Sequence, residues 1–277
     1  MRRDLSFYDR LFTPRVTVLP NGKQVEKRAS RMPLILLAVC IVTGLSLHIT
    51  GFNLQTLIKR GHQFFVILEQ LFTPDFGFAK HVWKPLFATI QMSIMGSFIG
   101  CVLALPYSVL CSSNIISNRL VLTVCRVILS VLRTLPTLVL ALIATLIFKL
   151  GTFAGTLAIS IFNFSMVSKM MYEHIETIDM GPYEAMEALG AGKARAFFSA
   201  VLPQVLPIYL SNCLFCVETT VRHAAVLGYV GAGGIGLTLS ERISLREYHH
   251  VGMLLLMLFI TVLLLESISR ALRKRLS

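Results

Sequence analysis

Six apolar runs constrain the fold of this chain more than any other feature. They cover roughly 32–50, 85–111, 120–149, 153–170, 204–227 and 250–271. About 20 mostly apolar residues are enough for a helix to cross a bilayer, and a helix satisfies its own backbone where lipid offers no partner. The runs therefore predict an all-α, polytopic membrane protein with about six transmembrane helices. Arg126, Arg133 and Pro136 interrupt the third run, so we expect its first part at the interface and only the rest to cross.

Composition supports the bilayer as solvent. The 277 residues are 55% hydrophobic and 14% charged, whereas soluble domains are about 25% charged. The net charge of +12 does not indicate nucleic-acid binding, because the basic residues collect at the ends of apolar runs. Five of the six cysteines fall well inside apolar runs and Cys111 ends one, which predicts small apolar helix residues rather than a disulfide framework. Cys213 and Cys216 have a redox spacing but no surrounding βαβ pattern.

Orientation follows from the positions of lysine and arginine. Basic residues precede the first run at Arg2, Arg3, Arg10, Arg15, Lys23, Lys27, Arg28 and Arg31, and follow the last at Arg273, Lys274 and Arg275. An even number of crossings places both ends on one side, and short basic segments favour the cytoplasm. We therefore expect both termini and 171–200 in the cytoplasm, and 51–84 and 228–249 outside.

The first run stands apart from the other five. It follows 31 polar or mixed residues and no small-x-small cleavage site comes after it, so we expect it to remain as an anchor. The predicted division is 1–84, a cytoplasmic tail with the first anchor and an external linker, and 85–277, a transmembrane domain with a cytoplasmic loop at 171–203.

That loop carries a spaced pattern. Glu184-Ala185-Met186 is followed by Gly190, six residues after the glutamate, and by Leu202-Pro203, twelve residues after the glycine. We predict two short helices here, 172–179 and 182–198, the second starting at Pro182, which suits a first helical turn. Gly190 would then lie mid-helix at a cost of about 1 kcal/mol, which indicates a close approach or a bend. An ordinary amphipathic loop helix is the alternative.

The pattern resembles the cytoplasmic "EAA" coupling loop of ABC-importer membrane subunits. It departs at Met186, where the family usually has alanine, and at Ala200, where a larger apolar residue is common. The resemblance implies a type I ABC importer permease fold. It also implies that this segment inserts into a separate ATP-hydrolysing subunit. The matching positions are Glu184, Ala185, Gly190, Leu202 and Pro203.

Further motifs resemble the phosphonate-type permease over about 85–271. They are Arg133-Thr134-Leu135-Pro136, Met180-Gly181-Pro182, Leu202 to Pro207, Glu218-x-x-x-Arg222 and Val230 to Gly236. This resemblance implies a permease for phosphonate, phosphite, phosphate or a related phosphorus oxyanion. It implies two permease copies, an ATPase pair and an extracytoplasmic binding protein. A permease for methionine or another small nutrient is the alternative.

Two glycine motifs do not indicate a nucleotide site. Gly231 to Gly236 fits G-x-G-x-x-G but lies between two apolar runs without a βαβ unit, so a sharp exit from the fifth run is expected. Leu189 to Lys193 lacks the other residues of a P-loop. A polytopic membrane enzyme is a remote alternative. Such an enzyme needs an interfacial cluster of His, Asp, Glu or Cys, and the sequence indicates none. We therefore expect no catalytic residues, cofactor or metal.

Glu218 and Arg222 are ionisable residues inside the fifth run, and such residues indicate function by default. They are four apart, so they share a helix face and can pair. Glu218 is expected roughly 20 Å along the helix from its cytoplasmic start. Two interpretations stay open: a structural pair that holds the bundle, or a cation on the translocation path. If the two residues pair only with each other, neutralising both would leave no unpaired charge. Arg126 and Arg133 are expected to anchor at the cytoplasmic interface.

Overall fold

The computed structural model describes residues 15–18, 24–27 and 32–276, and apart from one short hairpin it is helical. Strands β1 (Arg15–Val18) and β2 (Gln24–Lys27) pair antiparallel, with Arg15 opposite Lys27. The helices are α1 (Met32–Ile49), α2 (Leu54–Phe72), α3 (Ala79–Cys111), α4 (Arg119–Thr134), α5 (Thr137–Phe148), α6 (Thr152–Ile175), α7 (Gly181–Ala188), α8 (Lys193–Ala196), α9 (Leu202–Leu227), α10 (Ile235–Ser244) and α11 (Tyr248–Leu276). The chain divides into two compact units, Met1–Phe64 and Phe65–Ser277.

The all-α prediction is confirmed. Within the described residues, four helical stretches are long and apolar enough to cross a membrane, and the bent pair α4–α5 can make a fifth. These four are Phe76–Cys111, Thr152–Ile175, Lys193–Val230 and Tyr248–Arg275. Helix α1 matches the first predicted run, but its apolar part, Leu34–Ile49, is shorter than the four candidate spans. Most of the predicted cytoplasmic tail and the last residue lie outside the described residues.

The third run breaks where the sequence predicts it. Helices α4 and α5 are bent by 90° across Leu135-Pro136. Proline lacks an N–H and disfavours helical geometry in the preceding residue, and Leu135 is extended, with φ −79° and ψ 120°. A tight turn follows α5, with Lys149 at φ 68°.

Helices α3 and α6 form the frame of the second unit, because small residues let their backbones approach. A Cβ added to Gly96 would lie 2.5 Å from Cγ2 of Ile159, and one added to Gly100 would lie 2.6 Å from the carbonyl oxygen of Ser160. Such small-residue contacts are typical of helices packed in a membrane, where apolar surface alone gives no net attraction.

Three buried polar side chains join α9 to this frame. The amide of Asn163 on α6 donates to Oγ of Ser97 on α3 at 2.9 Å and to Oγ1 of Thr220 on α9 at 3.0 Å. None of the three is more than 1% exposed. Interhelical hydrogen bonds of this kind fix which helix faces meet, and this one fixes the face of α9 next to Thr220.

The glycine motif at 231–236 is the turn from α9 to α10, as the sequence predicts. Gly231, Gly233 and Gly234 have φ of 80°, 79° and 72°, a region that favours glycine. The N–H of Ile235 donates to Oγ1 of Thr89 at 2.7 Å, which ties this turn to α3.

The predicted helices of the loop at 171–203 are partly wrong. Helix α6 continues to Ile175, so 172–179 is not a separate helix, and the predicted helix at 182–198 stops at Ala188. The stop is a Schellman motif: the N–H of Gly190 donates to the carbonyl of Glu187, and that of Ala191 to Met186. Gly190 has φ 85°, so its place is required by this left-handed turn and not by a mid-helix contact.

A charged cluster joins the middle of α4 to the adjoining ends of α3 and α6. The guanidinium of Arg126 donates to the carbonyl of Cys111 at 2.8 Å and pairs with the carboxylate of Glu176, which also accepts the N–H of Ser113 at 2.8 Å. The Arg126 guanidinium also lies 4.9 Å from the centre of the Tyr172 ring. Arg126 is thus a link between helix ends, a role that the sequence prediction of an interfacial anchor missed.

This cluster lowers the pKa of Glu176. Burial alone would raise the pKa of the carboxyl, but the hydrogen bonds from Ser113 and the charge of Arg126 outweigh it. A group with a lowered folded-state pKa stabilises the fold above its unfolded pKa, and that contribution is lost as the pH falls through the folded value.

We expect Gly100→Ala to lower the thermal midpoint of the purified protein, because the new methyl group would force α3 from α6. Overpacking of this kind typically costs about 1–3 kcal/mol. Gly44→Ala in α1 is the matched control, since among the described residues no atom lies within 4 Å of a Cβ placed there. Equal midpoints for the two variants would contradict the close packing.

We expect Glu176→Gln to remove a pH-dependent part of the stability. The midpoint difference between wild type and variant should be full above pH 4.5, the ordinary value for this carboxyl, and should shrink as the pH falls further. Glu173→Gln is the control, because Glu173 pairs with Lys169 within α6 alone. A difference that stays constant with pH would exclude the charge of Glu176 as its cause.

Candidate coupling and translocation sites

The loop between α6 and α9 has a buried side and an exposed side. Tyr183 of α7 is 3% exposed and packs in a cluster with Ile175, Val201 and Val205. The opposite side of α7 carries Glu184, Ala185 and Ala188, all exposed, and continues to Leu189, which is 85% exposed, and Gly190. We call this exposed set, Glu184, Ala185, Ala188, Leu189 and Gly190, the loop surface.

The other predicted coupling residues lie at the base of the loop. Leu202 and Pro203 begin α9, with proline in the first turn, directly after a wide π-helical turn at Phe197–Val201. Leu202 packs against the same cluster as Tyr183. The side chain of Gln204 donates to the carbonyl of Asp179 at 3.2 Å, which joins the loop to α9. The structure therefore places Glu184, Ala185 and Gly190 on the loop surface and Leu202 and Pro203 where the loop joins α9.

The second predicted site is a cluster of three charges. Glu218 on α9 is 7% exposed. Its Oε1 accepts from Nη2 of Arg222 at 3.0 Å, as the four-residue spacing predicts. Its Oε2 accepts from Nη2 of Arg273 at 2.8 Å. We call Glu218, Arg222 and Arg273 the charge cluster; its formal charge is +1, because two guanidiniums face one carboxylate.

The expectation that Glu218 and Arg222 form a self-contained pair is wrong. Helix α11 continues to Leu276, so Arg273, which sequence analysis placed after the last apolar run, lies on the helix and reaches α9. Neutralising Glu218 and Arg222 together would therefore leave Arg273 without this carboxylate. No periodicity or motif in the sequence relates residues 218 and 273, which are 55 positions apart.

An apolar cavity of about 540 Å³ lies between α3, α9 and the end of α11. Phe98, Cys101, Tyr209, Cys213 and Arg275 are among its lining residues. The hydroxyl of Tyr209 donates to the carbonyl of Cys101 at 2.9 Å.

All six cysteines, which lie within the described residues, are free thiols, so the prediction of small apolar helix residues is confirmed.

Comparison with known proteins places this architecture in a family. The phosphite transport system permease protein PtxC of Stutzerimonas stutzeri is 35% identical over 73% of this chain and 73% of its own length. The phosphate-import permease protein PhnE of Mycolicibacterium smegmatis is 32% identical over 68% of this chain, which spans 35% of that protein.

A solved inward-facing structure of the MetNI methionine ABC transporter has a chain that is 21% identical, with a TM-score of 0.65 over 73% of this chain and 99% of that one. The likeness confirms the type I ABC importer permease fold. Residues 96–277 match the family of binding-protein-dependent transport system inner membrane components. The chain belongs to this family, and it is a multi-pass protein of the cell membrane.

Proposed function

We propose that this chain is the membrane-spanning subunit of an ABC importer that carries a phosphorus oxyanion, namely phosphite, phosphate or a phosphonate. The main support for this proposal is the 35% identity of the chain to a phosphite permease over 73% of its length. The geometry agrees with it, because the charge cluster is cationic inside a helical bundle, and charged groups within membrane segments usually face a pathway. Glu218 and Arg222 are proposed to lie on the translocation path.

A methionine permease is the alternative function. The likeness to the methionine transporter, at 21% identity, supports the fold alone. Methionine carries one positive and one negative charge at neutral pH, so a site with two guanidiniums suits it less well than it suits an oxyanion. The phosphorus oxyanion is therefore the better supported substrate.

We propose three protein partners. A separate ATPase subunit docks on the loop surface and supplies the energy, an extracytoplasmic binding protein delivers the substrate, and a second copy of this chain completes the membrane pore. The molar mass of the purified complex, measured by light scattering, gives the number of copies of this chain. One copy of this chain beside a different permease would contradict the homodimer.

We further propose that the boundary at residue 84 separates an accessory segment from the transport domain at 85–277. The family match, which begins at residue 96, supports this boundary. The basic residues at both chain ends support a cytoplasmic location for both termini. Transport by a chain that starts at residue 85 would support the boundary, and loss of transport at normal membrane level would contradict it.

The substrate is tested with the complete transporter in proteoliposomes. We expect ATP-dependent uptake of at least one of phosphite, phosphate and methylphosphonate, and no uptake of methionine, because the charge cluster favours an anion. The control is the same complex with an ATPase subunit that cannot hydrolyse ATP. Uptake of methionine, with none of the three oxyanions transported, would contradict the proposed function.

The coupling surface is tested by two variants of equal size. Gly190→Asn and Gly190→Asp both tolerate a left-handed backbone better than other side chains, and among the described residues nothing lies within 4 Å of a Cβ at this position. If the ATPase covers Gly190, the unpaired charge should reduce uptake more than about tenfold, while the amide retains most of it. Equal uptake by the two variants at equal membrane levels would contradict docking at Gly190.

The same surface reports orientation. In a chain without its native cysteines, expressed without the ATPase subunit that would cover this surface, Ala188→Cys should react with an impermeant thiol reagent only after the cells are opened. Leu245→Cys, which replaces an exposed residue after α10, should react in intact cells. The reverse pattern would overturn the cytoplasmic placement of the loop.

A further inference from the structure

The two oxygens of the Glu218 carboxylate serve different helices. Arg222, bound to Oε1, lies on the same helix as Glu218, and Arg273, bound to Oε2, lies on α11. The three side chains differ in exposure: 8% for Glu218, 30% for Arg273 and 49% for Arg222. Arg222 is therefore the member that an incoming ion can reach most easily.

Arg222 also lies on an open face of α9. Val226, four residues further on, is 54% exposed, and residues at this spacing share one face of a helix. A guanidinium is always charged and presents several donors in a planar fork that suits phosphate-like oxygens. An oxyanion that reaches this face meets Arg222 before it meets the buried carboxylate.

A buried carboxylate constrains what Arg222 can do. Removing the partner of a buried charge is strongly destabilising, so Arg222 could not turn to another anion if it were the single partner of Glu218. Arg273 changes this condition, because Glu218 keeps one guanidinium while Arg222 leaves. The third member of the charge cluster thus makes the Arg222 contact exchangeable.

We propose that Arg222 exchanges the carboxylate of Glu218 for the transported oxyanion, and that Arg273 permits the exchange by holding Glu218. Arg273 is then a positioning residue that acts through Glu218 and does not touch the ion. The ligand is a small phosphorus oxyanion with at least two free oxygens. This inference rests on the proposed function and adds a role for the last helix that the family motifs do not contain.

The test uses the complete transporter in proteoliposomes, with whichever of phosphite, phosphate and methylphosphonate the wild type takes up. Arg273→Gln should raise the KM for uptake about tenfold, a typical size for coupling within a charge network, because Arg222 is then confined to Glu218. Arg273→Lys should retain most of the affinity. Lys274→Gln is the matched control: it removes the same charge from the next residue, which is exposed, and should leave KM unchanged.

A double variant separates positioning from a structural role. In Glu218→Gln no carboxylate competes with the oxyanion for Arg222, so adding Arg273→Gln to that variant should leave the KM for uptake unchanged. If Arg273 contacts the ion itself, or holds the bundle through contacts other than Glu218, the double variant should have a higher KM or a lower membrane level than Glu218→Gln. Either result overturns the proposal, and this comparison stands even if Arg273→Gln alone does not reach the membrane.

An anionic lipid headgroup offers the same phosphate chemistry as the substrate. The KM measurements are therefore repeated in vesicles of phosphatidylcholine with and without phosphatidylglycerol. The Arg273→Gln effect should persist in phosphatidylcholine alone, and its loss there would identify a lipid as the ligand and overturn the proposal. If the wild type takes up none of the three oxyanions, the proposed function fails and this inference with it. If uptake is normal and Arg273→Gln behaves like Lys274→Gln, the inference alone fails.

Discussion

The close approach of α3 and α6 is the contact on which the arrangement of the second unit depends. Gly96 and Gly100 leave no room for a Cβ, so the two backbones set the spacing and their polar side chains fall within hydrogen-bonding distance. Asn163 then reaches both Ser97 and Thr220. Thr220 lies two residues from Glu218 and two from Arg222, so the frame that holds Thr220 also holds the charge cluster. The buried carboxylate has a defined position because α3 and α6 pack closely beside it.

The two charged clusters of the chain differ in what surrounds the carboxylate. Glu176 is held by Arg126 and by the backbone N–H of Ser113, and the same Arg126 also serves the carbonyl of Cys111. Cations and acceptors are balanced there, which suits a fixed joint between helix ends. Glu218 instead faces two guanidiniums, one of them half exposed. Two guanidiniums on one carboxylate suit a position at which one of the two contacts breaks and forms again.

Sequence reasoning succeeded where one physical cause decides the outcome. Apolar length predicted the helices, Arg126, Arg133 and Pro136 predicted an interruption of the third run, and the glycines after Val230 predicted a sharp turn. It failed at Gly190, because the alanine-rich stretch favours a helix throughout, and a glycine that ends a helix looks the same in sequence as one tolerated inside it. It also missed Arg273, since a basic residue after an apolar run fits the positive-inside pattern. Its contact with Glu218 depends on how α11 packs against α9.

The loop surface and the charge cluster are joined by one structural element. Lys193–Val230 is a single helical stretch of 38 residues, which contains the base of the loop at Leu202 and Pro203 as well as Glu218 and Arg222. Arg273 is on a different helix. Any displacement of α9 relative to α11 must therefore change the contact between Glu218 and Arg273 while the contact with Arg222, four residues away on the same helix, can persist. A partner that moves the base of α9 would in this way alter how firmly Glu218 is held, and with it how readily Arg222 can leave.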